Sequence, residues 1–394
     1  MDRKFEILTI YLTGLLQGLV LVIVPAASLV FTDPAKFGFS PSDYGLLFIP
    51  QVIMAIVASI LGPSFVQRWG MRTVLRGGLF FNLLAMILIA SSQLVMANHQ
   101  LAFTLVILGT GLVGAGFGST LPTINVYASN FFPKNSASAL TVLHTLLGIG
   151  TALAPFLVTI FIKQLGWWML PVLVILALSI ILISAFILPL KDGRSESTSE
   201  TAIVKPKEFL PLRVRLFMLN VFLYGFCETI FANWAIIYLN KEKAVGIREA
   251  GFALAIFWVM VSVGRLVISV LSVWIPSRYV YRTLPVLILF SLFNVAVVKS
   301  SMAGMLAFGL AGLSCSAFFP LTFSFGQKDF ESIAERVSGW IMAAYMLGYG
   351  LAAYGIGKIV ELTNGSIGSW YIKAMIPSLA VVVLSWTLTQ KQKN

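Results

Sequence analysis

Apolar residues fall in long unbroken blocks along this chain, with short polar gaps between them. A helix needs about 20 apolar residues to cross the hydrocarbon core of a bilayer, and about twelve blocks have that character. In the first half they cover Ile7–Val30, Ser42–Val66, Thr73–Met96, Leu101–Asn130, Ser136–Lys163 and Trp167–Leu190. In the second they cover Val214–Leu239, Glu249–Val273, Thr283–Val298, Met302–Phe325, Val337–Ile359 and Ser369–Leu388, the Thr283–Val298 block being the shortest. The blocks lack the alternation of lumen-facing polar and lipid-facing apolar residues that marks a membrane β-barrel. The pattern predicts an all-α membrane protein. Its first block, with Tyr11, Gln17 and Pro25, reads as a retained helix rather than a signal peptide.

Composition supports this reading. Hydrophobic residues make up 58% of the chain and charged residues 11%, against roughly a quarter charged in soluble domains. The net charge of +12 would suggest nucleic acid only if it were clustered, and its distribution has a topological explanation. With the N-terminus in the cytoplasm, about 18 of the 27 Lys and Arg fall in cytoplasmic segments, about 8 fall outside and Arg265 lies within a span. Both termini are therefore expected in the cytoplasm, with the chain multi-pass in a bacterial inner membrane. Cys227 and Cys315 both sit in apolar blocks and imply no disulfide framework.

The longest polar gap, 191–213, is expected to be a cytoplasmic linker between an N-terminal bundle, 1–190, and a C-terminal bundle, 214–394, of six helices each. The two halves echo each other. Gly14-Leu15-Leu16-Gln17 corresponds to Gly225-Phe226-Cys227-Glu228, and Arg72-x-x-x-Arg76 to Arg278-x-x-x-Arg282. Leu121-Pro122 matches Phe319-Pro320, and Gly148-Ile149-Gly150 matches Gly348-Tyr349-Gly350. Four matches in the same order predict a pseudo-symmetric pair of bundles with a substrate site between them.

Gly109-Thr110-Gly111-Leu112-Val113-Gly114 has the letters of a dinucleotide fingerprint but lies inside a span with no preceding strand, so close helix packing is the better reading. The segment from Gly62 through Gln67, Arg68, Gly70 and Arg72 resembles the cytoplasmic loop signature of the major facilitator superfamily, with Gln67 where that signature has an acid. The resemblance implies a gating loop; ordinary topogenic arginines are the alternative. A more specific likeness joins the fourth and fifth blocks: Gly114-Ala115-Gly116-Phe117-Gly118, Pro122 and Asn125, then Leu140-Thr141-Val142-Leu143-His144, Gly148-Ile149-Gly150 and Pro155. This pattern resembles the fucose–proton symporter branch of that superfamily, as do Tyr224-Gly225-x-x-Glu228 with Trp234, Phe257-Trp258 and Gly264-Arg265. That branch carries acids in its first and fourth helices where this chain has Gln17 and Asn125, so neither fucose nor that proton site transfers directly.

Of the fifteen acids, only Glu228 lies about halfway along a span. A carboxylate at that depth costs about 2.5 kcal/mol or more, so it is expected to face the bundle interior with a partner. Arg265 is the expected partner: from the cytoplasmic side the two lie roughly 20 and 15 Å deep at about 1.5 Å per residue. Glu228 alternating between a protonated and an Arg265-paired state would couple protons to transport, and a permanent structural ion pair is the alternative. His144, expected to bond Asn125, is either a titrating group or a packing residue. Gln17, Asn125, His144, Asn233 and Trp234, with Tyr345 and Tyr349, are candidate solute contacts or helix–helix hydrogen bonds. No cofactor, metal site or nucleophile–base constellation is legible, so an enzyme is not expected. The expected function is alternating-access transport of a small polar organic solute, with sugar-like solutes leading by resemblance and a proton-coupled monomer in the bilayer. Proton-driven efflux of an amphipathic compound, and more remotely a non-transporting receptor, remain open.

Overall fold

The computed structural model describes residues 3–190, 210–330 and 333–390, and within them every regular element is a helix. Most of the expected linker, 191–209, lies outside the described residues, as do Lys391 and Lys393. The first six long helices are α1 (Arg3–Phe31), α2 (Pro41–Trp69), α3 (Met71–Val95), α4 (His99–Phe131), α5 (Ser136–Gln164) and α6 (Met169–Ile187). The second six are α7 (Leu212–Glu242), α8 (Ile247–Leu271), α9 (Ser277–Ala296), α10 (Ser301–Asp329), α11 (334–363) and α12 (Gly368–Leu388). Among the described residues eleven helices are long and apolar enough to cross a membrane; α11 is not among them. Its run is helical throughout, with one π turn at Leu351–Gly355, but three tyrosines and five glycines dilute its apolar character. The α9 block begins earlier than its hydrophobicity suggested, because Arg278 and Arg282 are already helical.

Local chemistry sets the helix ends. Ser40 accepts from the Asp43 amide and Asp43 from the Ser40 amide, a reciprocal cap that starts α2 at Pro41. Asn98 caps α4 and Ser300 caps α10 in the same way from one side. Gly70 alone turns the chain from α2 into α3, with φ +83°.

Glycines set the close approaches. A Cβ at Gly114 would strike the Gln51 carbonyl oxygen, and one at Gly118 would sit 2.6 Å from that of Ala55, so α4 lies directly on α2. The glycine run of α4 is thus helix packing, as its place in a span implied. The turn arginines also do matching work in the two halves. Arg72 donates to the Phe186 and Leu188 carbonyls and Arg76 to those of Ala185 and Phe186, closing the end of α6. Arg282 donates to the hydroxyl and carbonyl of Thr389, closing the end of α12, and lies 4.7 Å over the Trp386 ring as Arg76 lies 4.3 Å over Phe186.

The segment that resembles the superfamily's cytoplasmic loop is largely helical. Gly62, Gln67 and Arg68 belong to the last turns of α2, which continues to Trp69; only Gly70 is non-helical, and Gln67 and Arg68 are exposed. Hydrophobicity ends the block at Val66, but the helix continues to Trp69, since a helix leaving the bilayer needs no further apolar residues.

The first six helices meet the last six mainly through two helix pairs. On one side α5 lies against α8, with Ser262 Oγ filling the space a side chain at Gly148 would need. On the other α2 lies against α11, with Val52 3.3 Å from a Cβ placed on Gly350. The repeated Gly-x-Gly of α5 and α11 therefore divides its work. Gly150 and Gly348 pack within a half, on Leu15 and Phe222, while Gly148 and Gly350 pack across to the other half.

Candidate functional site

The α7–α11 pair builds the centre. Gly225 brings α7 so close to α11 that a Cβ there would lie 2.7 Å from the Tyr345 carbonyl oxygen. Three residues further along α7, Glu228 is 6% exposed, and the Tyr345 hydroxyl donates to its Oε2 at 2.7 Å. One turn outward the same helices are joined again, the Asn233 amide and Tyr349 hydroxyl exchanging hydrogen bonds of 3.1 and 3.3 Å.

Around Glu228 the other helices contribute donors. Helix α10 is broken between Cys315 and Phe318. Pro320 explains the break: it has no N–H to offer the carbonyl of Ser316, four residues back, and its ring crowds that carbonyl. Arg265 supplies the missing donor, its Nε lying 3.0 Å from the Ser316 oxygen. Tyr224, one turn before Glu228 on α7, donates to the neighbouring Cys315 carbonyl at 2.8 Å. Both also lie near the carboxylate, close enough for the Tyr224 hydroxyl and the Arg265 charge to act on it.

Arg265 and Glu228 do not form an ion pair among the described residues of this structure. His144 approaches from α5, one turn from Gly148 and within Coulombic reach of Arg265, so the charged centre includes residues from both halves. Its expected hydrogen bond to Asn125 is not made. Asn125 is half-buried, and its Oδ1 is buried without a partner.

Two other candidates lie elsewhere. Gln17 is 1% exposed inside the first six helices, its Oε1 accepting from Asn82 Nδ2 at 2.8 Å and Thr120 Oγ1 at 3.1 Å. Trp234 is fully buried, donating to the Ala352 carbonyl at 3.3 Å and meeting the Tyr44 ring edge-on at 5.3 Å. It sits in a seam at the end of the molecule opposite the termini, where Tyr44 donates to the Asn233 carbonyl and Phe48 meets Tyr349. Two charges finish that seam: Lys241 Nζ is 2.9 Å from the Thr32 carbonyl at the end of α1, and Glu361 accepts from the Ser42 amide at the start of α2. Sequence reasoning missed Tyr224, Lys241 and Glu361. Tyr224 lies one turn from the only mid-span acid, which is the signal the sequence offers; Lys241 and Glu361 carry no signal beyond a charge near a helix end.

The chain matches the family model described as Major Facilitator Superfamily over residues 7–353. Among solved structures it is similar to a point mutant of the nucleoside transporter NupG (TM-score 0.79, 13% identity, 98% of this chain and 100% of that one covered). A D-xylose–proton symporter gives a TM-score of 0.78 at 15% identity, covering 100% of this chain and 99% of that one. A variant of the E. coli fucose:proton symporter FucP gives 0.65 at 16% identity, covering 98% and 99%. At these identities the likeness is one of fold. No curated protein sequence matches the chain.

Proposed function

The chain belongs to the major facilitator superfamily, and from that premise we propose that this multi-pass transporter moves a small polar organic solute in symport with protons. Glu228 is the coupling carboxylate in this reading. The observation that carries it is the state of that side chain: buried in mid-span, held by one neutral donor from α11, with Arg265 near but not paired. A carboxylate in a lasting ion pair has little reason to take up a proton, whereas one held by a tyrosine can exchange that partner for H⁺.

The solute occupies the space between the two sets of six helices, touching groups from both. Tyr345 and Tyr349 offer aromatic faces, Asn125 an unpartnered acceptor, and His144 and Arg265 donors. The seam of Tyr44, Trp234, Lys241 and Glu361 is the outer gate, closed in this conformation, and both termini lie in the cytoplasm at the other end of a bacterial inner membrane. Sugar-like solutes lead because D-xylose, fucose and nucleosides are named for the similar structures. Right-side-out and everted vesicles test the direction.

The coupling test uses proteoliposomes with an imposed pH gradient, loaded in turn with D-xylose, L-fucose and a nucleoside after thermal-shift screening has selected a binder. With one proton per solute, wild type accumulates its solute up to about tenfold per pH unit. Glu228→Gln equilibrates the solute without concentrating it. Proton-driven accumulation retained in Glu228→Gln removes the coupling role.

A further inference from the structure

We propose that the break in α10 reads the protonation state of Glu228, through Tyr224 and Arg265. The inference rests on the coupling role given to Glu228 above and adds the element that responds to it.

The two side chains that satisfy the broken backbone are the same two that approach the carboxylate. Tyr224 has a single hydroxyl proton, which goes to the Cys315 carbonyl here and cannot also serve Glu228. Arg265 places Nε on the Ser316 carbonyl, the one Pro320 leaves without its helical donor. Hydrogen bonds to an ionised acceptor are roughly twice as strong as those between neutral groups. A charged Glu228 therefore competes with the two carbonyls for both donors. When it wins, Cys315 and Ser316 lose their partners in the middle of a membrane, and the break must bend or open to find others. A protonated Glu228 is neutral and needs an acceptor for its O–H, which the Tyr345 oxygen can provide, and it releases Tyr224 and Arg265 to hold the break closed.

The groups facing Glu228 are few. Among the described residues they are Tyr224 on its own helix, Arg265 on α8, Cys315 on α10, and Tyr345 and Tyr349 on α11, with His144 on α5 beyond Arg265. Tyr224 and Arg265 join this carboxylate to the α10 backbone, while Tyr345 ties it to α11, which already packs on α7. Movement of α10 beyond its break displaces Phe319, whose ring lies 4.5 Å from that of Tyr345, so the signal reaches the solute-facing side. Tyr224 and Arg265 act as positioning residues for α10.

Hydrogen–deuterium exchange of the full chain in nanodiscs, with no solute present, tests this by comparing protection in acidic and alkaline buffer for residues 313–322 and, separately, for residues 40–48 of the outer seam. Wild type is expected to lose about tenfold in protection of 313–322 on passing to alkaline buffer. Glu228→Gln keeps that segment protected in both buffers. Pro320→Ala restores the backbone donor to Ser316 and removes the pH response of 313–322 while leaving that of 40–48; Tyr224→Phe, which keeps the ring, leaves 313–322 weakly protected in both. A flat 313–322 segment in wild type, with 40–48 still responding to pH through Glu228, overturns the α10 inference and leaves the coupling reading standing. Loss of any Glu228-dependent pH response in both segments overturns the two together.

Discussion

Lys241 and Glu361 are expected to hold the outer seam shut by meeting helix ends rather than opposite charges. Lys241 lies on the Thr32 carbonyl, at the negative end of α1, and Glu361 on the Ser42 amide, at the positive start of α2. A charge at a helix terminus contributes about 0.3–1 kcal/mol, and both residues are at the surface, so about 0.5 kcal/mol each is a fair discount for screening. Lys241→Met or Glu361→Gln then shifts the equilibrium toward an open seam about twofold, and the double variant, losing about 1 kcal/mol, about fivefold. The assay is labelling of Val52→Cys by a membrane-impermeant maleimide, with Cys227 and Cys315 replaced by serine. Val52 is 4% exposed beneath Gly350, so it reacts only when α2 and α11 part. Lys243→Met is the control, since Lys243 donates to the Ala296 carbonyl within the last six helices and removes the same charge two residues away. Equal labelling in the double variant and wild type, or an equal rise in the control, refutes the reasoning.

The packing and capping arguments make further predictions. Gly114→Ala drives a methyl into the Gln51 carbonyl and should destabilise by about 1–3 kcal/mol, whereas Gly62→Ala, with nothing within 4 Å, should stabilise by about 0.5–1 kcal/mol; thermal melts in detergent should move in opposite directions. Arg76→Ala and Arg282→Ala each take two donors from a helix end, so exchange should rise at 184–188 in the first and 385–390 in the second, with no crossover between halves.

What the sequence made legible was whatever depends on composition along one helix. Hydrophobic blocks, the glycine run of α4 and the depth of Glu228 are properties of single segments, and the repeat between halves could be read because both copies keep their letters. The sequence did not reveal which neighbour each polar group would choose. Gln17 appeared to belong with Glu228 because the two occupy matching places in Gly-x-x-Gln and Gly-x-x-Glu, yet it turns toward Asn82 and Thr120. Arg265 appeared as a partner of Glu228 because their depths agree, but Pro320, fifty-five residues further on, had created a carbonyl for it to serve. A proline's effect on its own helix can be read locally, but the side chain that compensates is found only by packing.

The difference between Gln17 and Glu228 bears on how, in the proposed mechanism, one proton moves the last six helices against the first six. The amide of Gln17 is fastened to α3 and α4 by hydrogen bonds that do not depend on ionisation, so a change of pH leaves this junction of α1, α3 and α4 unaltered. In the last six the matching place holds a carboxylate, fastened to α11 by one tyrosine. Were Glu228 paired with Arg265 and no other acceptor at hand for the guanidinium, opening that buried pair would cost about 3–5 kcal/mol, more than two pH units supply at about 1.4 kcal/mol each. A hydrogen bond to a charged group contributes about 1.5–3 kcal/mol, within the range a pH gradient can offset. The Ser316 carbonyl, ready to accept from Arg265 when Glu228 is protonated, lowers that cost of opening in the proposed mechanism. In the proposed mechanism the proline that breaks α10 and the carboxylate that takes up the proton belong to one device.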